Sequence, residues 1–351
     1  MLLRPSDFSR RLLRWYDVAH RDLPWRVRGV HRAPYHVLVS EFMLQQTQVA
    51  TVVPYFQRFM QRYATLAELA AADEQEVLRH WQGLGYYARA RNLLRCARQV
   101  VREHNGELPP DAATLQNLAG IGRYTAGAIS SIGFGKRVPI LDANVTRVIR
   151  RLDKIEADPK DRNVQEQLWR RAEEILPRRR VGDFNSALME LGALICTPRS
   201  PDCLICPVRM HCQAFAAGIA DRIPVQKKKA RTPLLRRQTF CIRNGRRWLI
   251  QQRPPTGRWA GMWQFITRPA EGEAPLPVKI TDPKLIGSVS HALTHRRYEF
   301  EVFACESARK ASPKLPESMR WVSLVELENV PLPRPHVLIA KMLSAPAIRG
   351  K

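Results

Sequence analysis

No stretch of the chain approaches the roughly 18 consecutive apolar residues that a membrane-spanning helix requires, so the sequence predicts no transmembrane segment. The N-terminus also lacks the charged, apolar and cleavable pattern of a signal peptide. No repeat recurs at a fixed period, which argues against solenoid folds. What remains is a chain of 351 residues, long enough for two domains with cores of their own.

Acidic residues are also scarce, with 32 Asp and Glu against 57 Lys and Arg, which gives a formal net charge of +25. An excess of this size suits contacts with phosphates along a nucleic acid, although a solvated basic surface is the simpler alternative. We expect a monomeric, cytoplasmic and nucleoid-associated protein. The basic runs proposed as its phosphate track are Arg10-Arg11, Arg150-Arg151, residues 178–180 and residues 227–229.

The cysteines are odd in number, seven, and therefore make a poor disulfide set. Four of them follow the pattern C-x6-C-x2-C-x5-C, at Cys196, Cys203, Cys206 and Cys212. Structural zinc sites usually combine two short C-x2-C pairs, and only one is present here. Four thiolates on one loop also suit an iron-sulfur cluster. The spacing favours a cluster but leaves zinc open, and the other three cysteines are interpreted as small core residues.

Two glycines separate two predicted helices in the middle of the chain. The first helix is announced by Pro-Pro-Asp at 109–111 and ends at Gly120, and the second begins after Gly122. Glycine permits close backbone approach, and the free amides of a helix N-terminus bind anions such as phosphate. Such a turn is more often an ordinary helix connection, so it is weak evidence of function when taken alone.

Two carboxylates are predicted to have contrasting surroundings. Glu41 lies on a mostly apolar helical stripe, where burial is expected to raise its pKa and suit it to general acid catalysis. Asp142 precedes a predicted helix over residues 143–152, whose N-terminal dipole is expected to keep the carboxylate ionised. The alternatives are that Asp142 is an ordinary N-cap and that Glu41 is a partly buried partner of an arginine.

The stretch from the glycine hairpin to Asn144, which includes Ile-Leu-Asp, resembles the helix-hairpin-helix motif and the following Gly/Pro-Asp loop of base-excision DNA glycosylases. The cysteine spacing, at this distance after the hairpin, resembles the 4Fe-4S loop of the endonuclease III and MutY branch. That resemblance implies a 4Fe-4S cluster on the four clustered cysteines. Members that also cut the DNA backbone carry a lysine just after the hairpin. This chain has Tyr124 there, so base removal without efficient strand cleavage is expected.

The pattern of apolar residues predicts three parts: an all-α domain over 1–221 with the cysteine loop at 196–212, a basic linker over 222–238, and a strand-rich α+β domain over 239–351. In the last part, Asn244-Gly245 predicts a β-hairpin with a type I′ turn, residues 297–305 a strand, and Pro335 the start of a helix. This part resembles a Nudix fold that lacks the Glu-rich metal-binding cluster R-E-x-x-E-E. We therefore expect it to read substrate and not to hydrolyse pyrophosphate.

From about Phe8 to its end the chain resembles the MutY family, and the resemblance implies roles for individual residues. The glutamate of the E-x-x-L-Q-Q-T segment, Glu41, would protonate adenine, and Asp142 would stabilise the oxocarbenium-like sugar. Tyr124 and Asn144 would position Asp142 and the water.

The same resemblance implies DNA contacts. Base removal from a duplex requires extrusion of the nucleotide, and Gln46, with Thr47 beside it, is the expected wedge that fills the hole. Tyr86 would stack beside the opposite base. The expected adenine pocket consists of Leu23, Trp25, Arg26 and Glu190.

Reading of the opposite base is assigned to the segment 289–295, predicted as a loop. MutY proteins commonly use a Phe-Ser-His triplet there to contact 8-oxoguanine. Ser290 and His291 match that triplet, whereas Val289 replaces the phenylalanine.

The resemblance therefore implies a bacterial, monofunctional adenine DNA glycosylase acting on duplex DNA with adenine opposite 8-oxoguanine or guanine. One alternative is an endonuclease III-like glycosylase and lyase for oxidised pyrimidines, against which Tyr124 and the Nudix-like part count. Another is a non-catalytic iron-sulfur protein that binds DNA or transfers electrons, against which the two carboxylates count.

Overall fold

The computed structural model describes residues 5–26, 33–224, 232–271, 274–293, 295–308 and 315–344. Their contacts divide them into two compact units. The first unit lies within Met1–Ala71 and Asn92–Lys228, and the second within Ala72–Arg91 and Lys229–Lys351. The C-terminal part of the chain therefore shares its unit with an internal segment, Ala72–Arg91. None of the described helices is long and apolar enough to cross a bilayer.

The first unit is helical, as the spacing of its apolar residues predicts. Two of the helices given below belong partly or wholly to the second unit: α5 lies in it, and α6 begins in it. Helix α8 continues into a π-helical turn over Ile129–Gly133. The helices of this part of the chain are α1 (Pro5–Ala19), α2 (Pro34–Leu44), α3 (Val49–Arg62), α4 (Leu66–Ala71), α5 (Glu74–His80), α6 (Ala88–Glu103), α7 (Ala112–Leu115), α8 (Arg123–Ala128), α9 (Ala143–Leu152), α10 (Arg162–Glu174), α11 (Val181–Leu194) and α12 (Gln213–Ala216).

Helix α9 confirms the helix predicted over 143–152. It begins there because the Asp142 side chain accepts a hydrogen bond from the backbone N–H of Val145, which satisfies one of the free amides of the first turn. Its apolar face packs in one core with α1, α10 and α11. Helix α11 comes so close that a Cβ on Gly192 would lie 2.7 Å from the Cβ of Asn144.

The structure places two arginines of the predicted phosphate track in the core, so this part of the prediction is wrong. Arg150 is 2% exposed and Arg151 is 1% exposed, and both donate hydrogen bonds to buried backbone carbonyls. They belong to the core because the carbonyls that follow α9 and the cysteine loop need donors in the absence of water. Arg180 is half-exposed and forms ion pairs with Asp17 and Asp183. The lysines at 227–229 lie outside the described residues.

The second unit is built on a mixed six-stranded sheet with strand order β4-β5-β1-β3-β2-β6. Strands β1 and β5 are parallel, and the other pairs are antiparallel. The predicted second-half fold class, α+β, is confirmed. The elements are β1 (Leu234–Asn244), β2 (Arg247–Gln252), β3 (Trp263–Pro269), β4 (Ile280–Leu293), β5 (Arg296–Ser307), β6 (Met319–Val322), α13 (Leu324–Leu327) and α14 (Arg334–Ser344).

The predicted hairpin is present, but its turn differs. Asn244 pairs with Arg247, so the two central residues are Gly245 and Arg246. Gly245 has φ 60° and Arg246 has no positive φ, which is the type II′ pattern and not type I′. Strand β1 begins at Leu234, so the last residues of the predicted linker are paired with β5, while residues 225–231 lie outside the described part.

The prediction of a loop over residues 289–295 is also wrong for the residues that pair with β5. Val289 to Leu293 are the last residues of β4 and pair with β5 in continuous antiparallel register, from Val289 opposite Phe300 to Leu293 opposite Arg296. They form a strand and not a loop because the neighbouring strand supplies partners for their backbone groups. Thr294 lies outside the described residues.

Candidate active site

One cavity of about 800 Å³ in the first unit collects most of the predicted site residues. Helix α2 supplies Glu41, and α8 supplies Tyr124. Asp142 and Asn144 come from the start of α9, and α11 closes one side with Glu190. The predicted residues that line it are Leu23, Trp25, Arg26, Glu41, Gln46, Thr47, Tyr124, Asp142, Asn144 and Glu190. These residues come from five separate parts of the sequence, and the fold brings them around one space large enough for a nucleobase and its sugar.

Glu41 lies in the middle of α2 and is 5% exposed. Burial, together with the nearby negative charge of Asp142, raises the pKa of its carboxyl to about 7, although a hydrogen bond with the Tyr124 hydroxyl and the positive charge of Arg26 act in the opposite direction. The prediction of a raised pKa is confirmed. Among the described residues, Arg26 forms its ion pair with Glu190, and only its charge acts on Glu41.

Asp142 is half-buried, and desolvation raises its pKa, contrary to the expectation that the helix dipole would dominate. Hydrogen bonds and a positive charge act in the opposite direction and stabilise the anion. The backbone N–H of Val145 donates at 2.6 Å, the Nδ2 of Asn144 donates at 3.2 Å, and Arg147 contributes its positive charge. Asp142 is thus both an N-cap and a cavity carboxylate, with donors that Glu41 lacks.

The raised pKa of Glu41 predicts a pH profile. If Glu41 must be protonated to act, the single-turnover rate is flat below about pH 7 and falls as the pH rises through that value. Replacing Tyr124 with phenylalanine removes the hydroxyl that lowers this pKa, so the break is expected at higher pH. Rates measured from roughly pH 5 to pH 9 test both points. An unmoved break in Tyr124→Phe would contradict the assigned contact.

The far side of the cavity carries a buried ion triad that the sequence reveals only in part. Glu190 is fully buried and accepts hydrogen bonds from Arg21 and from Arg26, the latter at 2.7 Å. Burial raises the pKa of Glu190, but the bonds from the two arginines outweigh it and lower the pKa to about 2. Arg21 was missed from the sequence, because its partner lies 169 residues away.

Arg147 links Asn144 to the cysteine loop and was also missed. Its Nη2 donates at 2.7 Å to Oδ1 of Asn144, and its Nε donates at 2.7 Å to the carbonyl of Cys196. The Nδ2 of the same Asn144 donates to Asp142. A continuous hydrogen-bonded path therefore joins the cavity carboxylate to the first cysteine of the loop.

The four clustered cysteines line one small cavity. The Nη1 of Arg151 lies 3.2 Å from Sγ of Cys196, a position that would stabilise a thiolate. Within the described ranges, no three His, Cys, Asp or Glu side chains converge tightly enough to hold a single metal ion.

The hairpin glycines have different surroundings. Gly120 has φ 77°, and a Cβ there would lie 2.6 Å from the Cβ of Asn92, so only glycine fits. Gly122 precedes α8, and a Cβ there would meet nothing within 4 Å. Neither glycine lines the cavity, and the open side of Gly122 leaves room for an approaching backbone.

The remaining predicted residues lie in the second unit. Tyr86 is 45% exposed and has φ 47°. In β4, Ser290 is exposed, whereas Val289 and the half-buried His291 face the opposite side of the sheet. The His291 ring packs 6.0 Å from the ring of Trp259.

Two family models match the chain: the HhH-GPD superfamily of base excision DNA repair proteins over residues 39–174, and a NUDIX domain over residues 238–342. The adenine DNA glycosylase of Rattus norvegicus is 38% identical over 92% of this chain and 75% of its own length. The chain belongs to the adenine DNA glycosylase family. A second member of this family, from Homo sapiens, is 36% identical over 92% of this chain and 71% of its own length.

The predicted resemblance to this glycosylase family is therefore confirmed. Among solved structures, a thermostable thymine-DNA glycosylase matches with a TM-score of 0.55 and 28% identity, over 61% of this chain and 97% of that one. The HhH-GPD match includes Glu41, Tyr124, Asp142 and Asn144, whereas Glu190 and the four cysteines follow it. The adenine DNA glycosylase family thus accounts for both halves of the chain, the helical and the Nudix-like.

Proposed function

We propose that the protein is a monofunctional adenine DNA glycosylase of base excision repair, which removes adenine opposite 8-oxoguanine or guanine and leaves an abasic site. Membership of the adenine DNA glycosylase family supports the reaction class, hydrolysis of an N-glycosyl bond. The observation that carries the mechanism is the placement of Glu41, with a pKa of about 7, and Asp142 on one cavity.

In the proposed reaction, Glu41 gives its proton to the departing adenine as the bond between base and sugar breaks and its electron pair leaves with the base. The carboxylate of Asp142 stabilises the positive charge that develops on the anomeric carbon. Water then adds to that carbon and gives a proton to the carboxylate that Glu41 has become, which yields the abasic sugar and restores the acid. Acid catalysis and charge stabilisation would each supply roughly 3–5 kcal/mol of the barrier reduction. Tyr124 cannot form an imine with the sugar, so no lyase step follows.

The adenine pocket would use Arg26 and Glu190 for its hydrogen bonds and Leu23 and Trp25 for its walls. Because Arg21 also bonds Glu190, the carboxylate is fixed in orientation and stays charged. A charged acceptor favours an N–H donor, such as the exocyclic amine of adenine, over a carbonyl in the same place. This supports selection of adenine over keto bases.

The duplex would be held by contacts on both units. In the first, Gln46, which has φ 55°, and Thr47 lie directly after α2 at the cavity, where a wedge is needed. Gly120 and Gly122 would approach a phosphate. In the second unit, Tyr86, Ser290 and His291 are proposed to contact the base opposite adenine.

We also propose that Cys196, Cys203, Cys206 and Cys212 hold a 4Fe-4S cluster, which when bound cross-links the loop after α11. Iron and acid-labile sulfide analysis of the purified protein is expected to give about four of each per chain. Replacing Cys206 with alanine is expected to lower the iron content, whereas replacing the buried Cys96 is not. Stoichiometric zinc without iron would overturn this assignment.

The function is tested by single-turnover assays on duplexes with adenine opposite 8-oxoguanine, adenine opposite thymine, and thymine glycol opposite adenine, each with and without alkali. Strand cleavage that depends on alkali and is confined to the first duplex is expected. Cleavage of the thymine glycol duplex without alkali would instead indicate a glycosylase with lyase activity. No cleavage of any duplex would leave a binding or redox role.

A further inference from the structure

The segment Ala72–Arg91 is attached to the C-terminal part of its unit by side-chain amides. Gln75, in the first turn of α5, uses both ends of its amide: Nε2 donates to the carbonyl of Gly261 at 3.2 Å, and Oε1 accepts from the indole of Trp263 at 3.2 Å. Gly261 and Trp263 precede and begin β3. An amide that donates and accepts at once fixes the orientation of α5 at this point, because rotation would break both bonds.

A second amide makes a similar attachment at the other end of α5. Oε1 of Gln82 accepts from the backbone N–H of Leu332 at 3.1 Å. The neighbouring Pro331 carbonyl accepts from the backbone N–H of Trp263 at 3.0 Å, so both attachment points belong to one connected part of the domain. Arg79 adds a bond from its Nη1 to Oδ1 of Asn329 at 3.2 Å.

The loop that follows Gln82 is itself rigidly built and presents Tyr86. The indole of Trp81 donates to the carbonyl of Gly85 at 3.2 Å. The Nη2 of Arg89 donates to the carbonyls of Leu84 and Gly85, and its guanidinium lies 5.4 Å from the centre of the exposed Tyr86 ring. The position of Tyr86 is therefore set by the position of this loop as a whole.

We propose that Gln75 and Gln82 are positioning residues for mispair discrimination, which make Ala72–Arg91 and the C-terminal domain one reader of the base opposite adenine. The inference rests on the proposed function, since Tyr86, Ser290 and His291 are the contacts proposed for that base. All three are carried by the second unit, whereas the cavity carboxylates belong to the first. Base reading and base removal are thus divided between units, although the sequence of Ala72–Arg91 lies inside the HhH-GPD match.

The first test compares the full chain with the double variant Gln75→Ala, Gln82→Ala. Each lost hydrogen bond is worth about a factor of five in the equilibrium that holds the loop. The ratio of second-order excision constants for adenine opposite 8-oxoguanine over adenine opposite guanine is therefore expected to fall about tenfold or more. The single-turnover rate at saturating enzyme is expected to stay within about twofold, because the carboxylates are untouched. A matched control replaces two exposed glutamines of α3, Gln57 and Gln61, with alanine.

Two single variants keep a side chain of similar size and change only its hydrogen-bonding groups, so they test the hydrogen bonds themselves. The backbone N–H of Leu332 donates to the side-chain oxygen of Gln82, so Gln82→Glu keeps this acceptor and is expected to retain more of the wild-type ratio than Gln82→Ala. Gln75→Glu loses the donor and sets a carboxylate oxygen against the Gly261 carbonyl, so its ratio is expected to fall. Equal ratios in these two variants would overturn the proposal.

Hydrogen exchange in the full chain gives an independent measurement. Peptides covering residues 81–91 are expected to exchange faster in the double variant than in wild type or in the α3 control. If the double variant shows both the exchange rates and the excision ratio of the wild type, the two glutamines have no positioning role. If Ser290→Ala and His291→Ala lower the ratio while the glutamine variants do not, only this inference fails. If no variant of the second unit changes the ratio, the proposed reader itself fails.

Discussion

Replacing Asp142 with asparagine is expected to slow adenine excision by a factor on the order of 10³. The substitution keeps the size of the side chain and an oxygen that can accept from the Val145 N–H, but it removes the negative charge that faces the sugar. Because asparagine is also a good N-cap, the thermal midpoint is expected to change little. Single-turnover excision at saturating enzyme, with a parallel melting curve, measures both effects.

The chain offers a matched control in Asp161. It caps α10 through bonds from the backbone N–H of Asn163 and of Val164, but it does not line the cavity. Asp161→Asn is therefore expected to leave excision within about twofold of wild type. Equal rates in the two variants would mean that Asp142 is only a cap, and full activity in Asp142→Asn would point to another catalyst.

Replacing Arg147 with alanine is expected to lower the excision rate of the folded protein by about 10², although Arg147 does not line the cavity. The variant leaves the carbonyls of Cys196 and Gly192 without their donor and releases Asn144 from its bond. It also removes a positive charge that lowers the pKa of Asp142. The expected loss of stability is about 2–4 kcal/mol, because buried acceptors are left unpaired.

Arg150 separates the loss of stability from the loss of activity. It is also buried on the same helix, and its hydrogen bonds go to the carbonyls of Ile155, Glu156 and Ala157 and not to Asn144. Arg150→Ala is expected to lower the melting temperature by a similar amount while excision per folded molecule stays near wild type. If both variants lose activity in proportion to stability, the path through Arg147 carries no specific effect. Iron content measured on both reports whether the cysteine loop is disturbed.

Local patterns allowed much of the site to be predicted. Asp142 and the apolar period after it predicted α9 because an N-cap and a helical stripe are properties of neighbouring residues. The raised pKa of Glu41 followed from its apolar neighbours on α2 in the same way. These features need only a window of about ten residues, which is why the sequence alone sufficed.

The features that were missed depend on distant partners. Arg21 and Glu190 are 169 residues apart, and no local pattern pairs them. The strand at Val289 to Leu293 exists because β5 pairs with it, whereas the family resemblance had led us to expect a loop. Arg150 and Arg151 looked like surface charge because nothing beside them reveals the buried carbonyls that they bond. The resemblance pointed to residues that line one cavity in the structure, but it did not give their orientation.

The path of the chain through its two units has a consequence for dissection of the molecule. A protein shortened at residue 222 still includes Ala72–Arg91, but it lacks Gly261, Trp263 and Leu332, to which that segment is bonded. The fragment would expose the amides of Gln75 and Gln82 to water and lose the support of its Tyr86 loop. If the chain is cut between Lys228 and Lys229, we therefore expect the two pieces to stay associated through the contacts of Ala72–Arg91. The molecule is suited to fragment complementation, and truncation at residue 222 does not remove a complete structural unit.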